Sequence, residues 1–124
     1  MNICSKCLYT ENHPLGIIFD KDNICSGCQI HEEKNNLDWA SRFASLEKCV
    51  DQYRNKSNYD CIVPVSGGRD SYFILDVCIN QLKLKPLCVH YNHGFNTPEG
   101  LNNLANLKIT FDVDVYQLNP NPTT

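Results

Sequence analysis

Downstream of residue 59, short apolar runs alternate with longer segments in which apolar residues recur every three or four positions. The short runs, at residues 61–65, 86–91 and 112–118, predict β-strands. The longer segments, at residues 70–82 and 97–108, predict helices. The order β-α-β-α-β predicts a parallel sheet with helical crossovers, and therefore an α/β fold.

The ends of these elements carry further signals. Thr97 is expected to cap the second helix, with Pro98 in its first turn. Pro64 lies inside the first predicted strand, which favours an edge position or a bulge there. The chain stops soon after the third strand, whereas a doubly wound sheet generally needs two such halves. The sequence is therefore expected to be the N-terminal part of a larger domain.

Upstream of the sheet, residues 36–54 predict an amphipathic helix with Asn36 as its N-cap. Its apolar residues fall on one stripe, which is expected to pack on a neighbouring element; a cofactor-binding stripe is the alternative. The stripe consists of Trp39, Phe43, Leu46, Val50 and Tyr53. Residues 54–58 predict a polar linker between this helix and the first strand.

Four cysteines near the N-terminus form two C-x2-C pairs separated by 17 residues. This spacing is typical of zinc sites, in which four thiolates surround one tetrahedral ion. Because no coordination position stays open, the expected Zn²⁺ would be structural; an iron–sulfur cluster or a redox pair is the alternative. The expected ligands are Cys4, Cys7, Cys25 and Cys28.

Two other features of the cysteine-rich region lead to expectations. Apolar runs at residues 16–19 and 24–25, separated by polar turn residues, predict a hairpin between the two pairs. The remaining cysteines stand singly in apolar surroundings and are expected to be small buried residues. They are Cys49, Cys61, Cys78 and Cys88.

Composition narrows the class of protein. Apolar residues make up 42% and charged residues 20% of the 124 residues, which is the usage of a globular domain. The chain has neither an apolar run long enough to span a bilayer nor a hydrophobic signal region, so a cytoplasmic protein with no membrane partner is expected. Eleven basic against 14 acidic residues give a net charge of −3, so no nucleic-acid partner is expected.

The segment Ser66-Gly67-Gly68-Arg69-Asp70-Ser71 lies between the first predicted strand and the helix that follows. Two glycines let a backbone approach an anion closely, and the amides of a helix N-terminus point toward that anion. The serine hydroxyls and the arginine add donors suited to phosphate oxygens. Asp70 is expected to be an N-cap, a magnesium ligand or both. A glycine turn that only caps the helix is the alternative.

This segment resembles the PP-loop of the N-type ATP pyrophosphatases, whose members adenylate a substrate oxygen and let a nucleophile expel AMP. The resemblance implies ATP and Mg²⁺ as cofactors, with residues 66–71 around the β- and γ-phosphates. It also implies a partial Rossmann-like sheet of the adenine nucleotide alpha hydrolase type, preceded by a zinc-ribbon-like module. Val89, His90 and Asn92, at the end of the second strand, would then lie near the adenosine.

The cysteine quartet, the Trp39 helix and residues 59–71 together resemble the N-acetyl sugar amidotransferases of bacterial surface-glycan synthesis, which covers lipopolysaccharide O-antigen and nonulosonic acids. The resemblance implies that ATP activates the acetamido oxygen of an N-acetyl sugar or sugar nucleotide. Ammonia from a separate glutaminase subunit then replaces AMP and leaves an acetamidino group. The sugar-binding half would follow residue 124, so this chain alone is expected to be inactive, and no catalytic residue is assigned.

Three segments follow from this scheme. Residues 1–35 are predicted to form the zinc-ribbon-like module, residues 36–58 the helix and linker, and residues 59–124 the first part of the PP-loop domain.

A tRNA-modifying PP-loop enzyme of the thiolase type is one alternative function, and a non-catalytic zinc-ribbon and nucleotide-fold module is another. The pair His90 and His93 could bind a metal, but it lacks a third ligand and is better explained by a pocket or loop position.

Overall fold

The computed structural model describes residues 2–121 and contains four α-helices and three β-strands within them. The chain divides between Phe43 and Ala44 into two compact units. The helices are α1 (Ser26–Glu33), α2 (Trp39–Asp51), α3 (Arg69–Asp76) and α4 (Pro98–Phe111). The strands are β1 (Cys61–Pro64), β2 (Pro86–Tyr91) and β3 (Val115–Leu118). Within residues 2–121, no helix combines the length and apolarity needed to cross a membrane.

The N-terminal unit consists mainly of turns, with α1 at its centre. The predicted hairpin is reduced to a single antiparallel bridge between Phe19 and Cys25. The side chain of Asp20 explains this, because one of its oxygens accepts the amides of Asp22 and Ile24, each at 2.9 Å. The aspartate therefore closes a tight turn at the place where a longer ladder would have needed those amides.

Helix α2 begins at Trp39, three residues later than predicted. Asn36 is not its cap, because it belongs to a short 3₁₀ turn, Lys34–Asn36. The carboxylate of Asp38 instead accepts the amide of Ser41 at 2.9 Å, which is the N-cap geometry.

The apolar stripe of α2 is not packed as expected. No residue of α2 is buried, and Trp39 is 57% exposed. The indole nitrogen of Trp39 donates to the carbonyl of Lys34 at 3.0 Å, so the ring is tied to the preceding turn. Arg42 lies over the same ring, 5.8 Å from its centroid. Leu46 and Val50 of the stripe line a cavity together with residues of β1 and α3, but no residue of α2 belongs to the buried core.

The predicted β-α-β-α-β order is confirmed, and the three strands are parallel in the order β1-β2-β3. Val63 is in register with Cys88, and Cys88 with Val115. Among the described strands β1 is outermost, in agreement with an edge position for Pro64. The amide of Val65 donates to Val89 at 2.9 Å, so the alternate residue, Pro64, faces the free edge and its missing N–H leaves β2 fully paired.

Both crossover helices pack on one face of the sheet, as right-handed connections in this strand order require. The core on that face is formed by apolar residues of β1, β2, α3, α4 and the adjoining loops, namely Val63, Val65, Leu75, Cys88, Leu104, Leu107 and Val113. The opposite face is uncovered in the described structure: Ile62 is 68% and Tyr116 59% exposed.

Of the single cysteines, Cys88 is buried and Cys61 and Cys78 are partly buried, but Cys49 is exposed, contrary to expectation.

The helix ends differ in part from their predicted positions. Thr97 caps α4 as predicted, with its hydroxyl accepting the amide of Gly100 at 3.1 Å. Helix α4 runs to Phe111, and Asp112 ends it in a left-handed conformation with φ of 50°. Strand β3 therefore starts at Val115 rather than at residue 112. Helix α3 continues as a π-helical turn, Val77–Gln81, before the chain reaches β2.

Candidate metal centre and phosphate-binding turn

The four predicted zinc ligands lie together, with all their sulfur atoms within 4.8 Å of one another. Two come from the N-terminal loop and two from the start of α1, where Cys25 is the N-cap and its sulfur accepts the amide of Cys28. The Sγ atoms of Cys7 and Cys25 are 3.5 Å apart, and those of Cys4 and Cys28 are 3.9 Å apart. This geometry can hold a metal ion such as zinc.

The electrostatics of the cluster favour a cation. Burial raises the pKa of Cys4, but the amides of Cys25, Cys7 and Lys6 outweigh burial and lower that pKa to about 6. The hydrogen bond with Cys7, burial and the other two thiols raise the pKa of Cys28 to about 12. Cys4 thus ionises readily, whereas the thiol of Cys28 resists ionisation. A divalent ion would remove that resistance, since thiolates are the zinc ligands.

Charged and polar side chains lie beside the four cysteines but are not among the grouped metal ligands. The ammonium of Lys6 forms an ion pair with Glu32, which links the first cysteine pair to α1. His31 is exposed and lies beside the cluster, lining a cavity of about 510 Å³, but it is not one of the grouped ligands.

No second group of three or more metal-ligating side chains occurs among residues 2–121, so the pair of His90 and His93 has no third ligand there. His90 is buried, whereas His93 is exposed. The Nδ1 atom of His93 accepts the amide of Phe95 at 3.0 Å, so its ring shapes the loop after β2.

The glycine turn between β1 and α3 has two glycines with different roles. Gly67 is buried, with φ of 78°, and a Cβ there would lie 2.7 Å from the carbonyl oxygen of Gly100 and 2.9 Å from the nitrogen of Leu104. Gly67 therefore permits the turn to pack directly on α4. Gly68 is exposed, with φ of −77°, and a Cβ there would meet only Ser66 Oγ, at 3.4 Å. The fold itself does not require glycine at position 68.

The hydroxyls of the turn are used internally. The amide of Ser66 donates to Ser71 Oγ at 3.0 Å, and the amide of Gly68 donates to Ser66 Oγ at 3.4 Å. Ser71 is 5% exposed. Ser71 therefore supports the backbone of the turn as an acceptor, and its hydroxyl hydrogen takes no part in that contact, so its contact with a phosphate stays a prediction.

The first two residues of α3, Arg69 and Asp70, have no capping side chain, whereas the amide of the third, Ser71, donates to the carbonyl of Gly68 at 3.1 Å. Gly68 is the N-cap and makes no side-chain cap hydrogen bond, so the expectation that Asp70 is the N-cap is wrong. Arg69 and Asp70 stand exposed in the first turn. Helix N-terminal amides without a capping side chain need another acceptor, and the helix dipole makes an anion a favourable one. Asp70, a carboxylate at the same place, would suit a cation that accompanies the anion.

The residues expected near an adenosine do not share one surface. His90 lies on the covered face of the sheet, and its Nδ1 is 3.0 Å from the carbonyl oxygen of Val65. Val89, the preceding strand residue, points to the opposite face. Asn92 follows β2, and its amide nitrogen donates to Asn119 Oδ1 at 2.9 Å, which ties the ends of β2 and β3 together.

Sequence reasoning missed Asn119 and the cavity to which it belongs. The cavity measures about 740 Å³ and lies at the carboxyl ends of β2 and β3, where ligands bind in open α/β sheets. It is lined by Tyr91, Asn92, His93, Gly94, Phe95, Asn119, Pro120 and Asn121. The run of asparagines and prolines after the third strand was the available signal, because such residues favour turns at a strand end.

Comparison with known proteins yields one distant relative. No family model matches the sequence. The curated protein "Uncharacterized protein MJ1599" of Methanocaldococcus jannaschii is 28% identical to this chain over 121 residues. The match covers 94% of this chain and 42% of that protein, so the chain spans less than half the length of this relative. The relative's description names no activity, and a function has to be argued from the residues of this chain.

Proposed function

We propose that this chain binds ATP through a PP-loop at residues 66–71 and belongs to an amidotransferase that acts on an N-acetyl sugar. The observation that carries the proposal is the first turn of α3, where Arg69 and Asp70 have no capping side chain, and which follows a buried left-handed Gly67 directly after a parallel strand. A strand, a glycine turn and a helix with free N-terminal amides form the usual cradle for phosphate groups.

The proposed roles follow the geometry of the turn. Gly68, with no side chain, leaves space for phosphate oxygens beside the helix amides. The guanidinium of Arg69 would supplement the helix dipole, and Asp70 would hold Mg²⁺ beside the phosphates. Fixed amides and charges of this kind stabilise the charge that develops when pyrophosphate leaves.

In this proposal the cysteine cluster has a structural role. A bound zinc would join the first cysteine pair to α1, in a unit whose described residues bury few side chains apart from Cys4 and Cys25. Metal binding then contributes folding free energy to a module too small for a core of its own.

Nucleotide binding is tested with two matched glycine variants. In Gly68→Ala the new methyl projects where the phosphates would approach, yet it contacts only Ser66 Oγ. We expect ATP binding to be at least about tenfold weaker by calorimetry, because the methyl keeps the phosphates away from the backbone amides. A tenfold loss of affinity corresponds to about 1.4 kcal/mol. In Gly100→Ala, the control, the methyl would meet Thr97 Oγ1 at 3.4 Å, outside the turn, and affinity should be unchanged. Equal affinity of Gly68→Ala and the parent protein contradicts the phosphate cradle.

The metal role of Asp70 is tested separately. Asp70→Asn should weaken ATP binding in the presence of Mg²⁺ and leave it unchanged, or strengthen it, without Mg²⁺, because the variant removes a carboxylate that repels free phosphate. An equal loss under both conditions would show that Asp70 acts on the fold of the turn and binds no cation.

The sugar reaction is tested on the longest gene product that contains this sequence. With ATP, an ammonium salt and an N-acetyl sugar nucleotide labelled with ¹⁸O in the acetamido group, the label should appear in AMP. That transfer is diagnostic of adenylation at the acetamido oxygen. Binding of ATP without sugar-dependent AMP formation would favour the other candidates, a tRNA-modifying enzyme or a non-catalytic nucleotide-binding module.

A further inference from the structure

One peptide unit at the entrance of the glycine turn is held at both of its polar ends by buried side chains. Its carbonyl, that of Val65, lies 3.0 Å from Nδ1 of His90. Its N–H, that of Ser66, donates to Ser71 Oγ at 3.0 Å. His90 is 3% and Ser71 5% exposed, so water does not compete for either contact.

The contact with Val65 fixes the tautomer of His90. A carbonyl oxygen only accepts hydrogen bonds, so a proton must sit on Nδ1, and in the neutral ring Nε2 then carries the lone pair. The Nε2 atom is buried without a hydrogen-bond partner among the described residues. The ring therefore makes one polar contact in the described structure, and that contact is to the backbone in front of the turn.

The glycine turn begins directly after the Val65–Ser66 peptide. Val65 also donates its own amide to Val89 at 2.9 Å, so the chain is fixed to β2 up to this residue. Beyond the peptide, Gly67 lies against the backbone of α4. A rotation of the Val65–Ser66 peptide plane would redirect the amides that follow, and the two side chains prevent it.

We propose that His90 and Ser71 are positioning residues that orient the glycine turn by clamping the Val65–Ser66 peptide from its two ends. The inference rests on the proposed function in one respect, namely that the oriented turn binds phosphate. The proposed role of His90 differs from the predicted contact with adenosine, and the proposed role of Ser71 differs from donation to a phosphate.

Three substitutions of His90 separate the clamp from other roles of the ring. In His90→Asn the side-chain amide nitrogen occupies nearly the position of Nδ1 and can still donate to Val65. In His90→Gln the polar group lies nearer the position of Nε2, and in His90→Leu there is none. Ser71→Ala removes the other half of the clamp, and Cys88→Ala is a buried control on the same face of β2, two residues away.

Two readouts are used, at a temperature where each variant is folded. The first is the backbone amide chemical shifts of Gly67 and Gly68 in the ligand-free protein, which report the orientation of the turn. The second is the dissociation constant for MgATP. We expect His90→Asn and Cys88→Ala to resemble the parent in both. We expect His90→Gln, His90→Leu and Ser71→Ala to shift both amides and to weaken binding about tenfold, the equivalent of about 1.4 kcal/mol.

The clamp is overturned if His90→Leu leaves the amide shifts and the dissociation constant unchanged. A His90→Asn variant as impaired as His90→Leu, beside a normal His90→Gln, would also overturn it and assign the ring's role to Nε2. If the parent binds no ATP, the proposed function fails, but the amide shifts still decide whether the clamp orients the turn. Because both side chains act on one peptide, the effects of His90→Leu and Ser71→Ala on the amide shifts should not add in the double variant.

Discussion

A methyl group on Gly67 would lie 2.7 Å from the carbonyl oxygen of Gly100, closer than non-bonded atoms approach. Since Gly67 also has φ of 78°, Gly67→Ala combines a steric clash with an unfavourable backbone conformation. We expect it to lower the free energy of unfolding by about 2–4 kcal/mol in urea titrations. Gly68→Ala, at a φ of −77°, should change it by less than about 1 kcal/mol. Equal effects at the two positions would contradict the packing of the turn on α4.

The cysteine cluster predicts the metal content of the purified protein. We expect close to one zinc per chain by elemental analysis, and its loss in Cys25→Ser, because Cys25 is both a ligand and the cap of α1. Cys49→Ser is the control, since Cys49 is exposed and lies outside the cluster. Iron with the visible absorption of an iron–sulfur cluster would identify a different centre from the one expected.

Protons should compete with the metal. The pKa of Cys28 is raised to about 12 and that of Cys7 is raised, so both are protonated at neutral pH in the metal-free protein. Zinc binding must displace at least these two protons, and its affinity should fall at least about 100-fold for each unit of decreasing pH near neutrality. Calorimetry in buffers of different ionisation enthalpy measures the number released. Release of fewer than one proton would show that the thiols are not the ligands.

Asp60 predicts a pH-dependent contribution to stability. Its two carboxylate oxygens accept the amides of Lys85 and Asn55, each at 2.8 Å, and these contacts hold its pKa below the ordinary 3.8. A depressed pKa means that the contribution is complete above pH 3.8 and is lost as the pH falls through the lower, folded-state value. Asp60→Asn should therefore lower Tm at pH 7, with a difference from the parent that shrinks in strong acid. A difference that is constant with pH would mean that the charge is irrelevant.

The parts of the fold that were predictable depend on local patterns. Thr97 was recognised as a cap because its contact with Gly100 spans three residues of sequence, and the three strands were recognised from apolar runs. Asp38 was missed as a cap because Asn36 offers the same capping chemistry two residues earlier. Asn36 is excluded only because it belongs to the 3₁₀ turn Lys34–Asn36, which the sequence did not predict.

The parts of the site that were missed depend on tertiary contacts. The spacing of Cys4, Cys7, Cys25 and Cys28 was sufficient to group them, because two cysteines with two residues between them already place both sulfurs beside one ion. Nothing local indicated that Ser71 would turn inward to the amide of Ser66, or that Asn92 would reach Asn119 across 27 residues. The first contact depends on the conformation of the glycine turn, and the second exists only once β2 and β3 are in register.

The uncovered face of the sheet has a consequence for handling the protein. Parallel sheets are ordinarily covered on both faces, yet Ile62 and Tyr116 on this face are more than half exposed in the described structure. A surface of this kind adsorbs hydrophobic dyes and promotes self-association as concentration rises. The 124-residue chain should therefore show strong dye fluorescence while fully folded, and Ile62→Lys should reduce that fluorescence and raise the concentration at which the protein precipitates. The solubility and self-association of this chain thus depend on the uncovered face of the sheet, while its free energy of unfolding depends on the covered face.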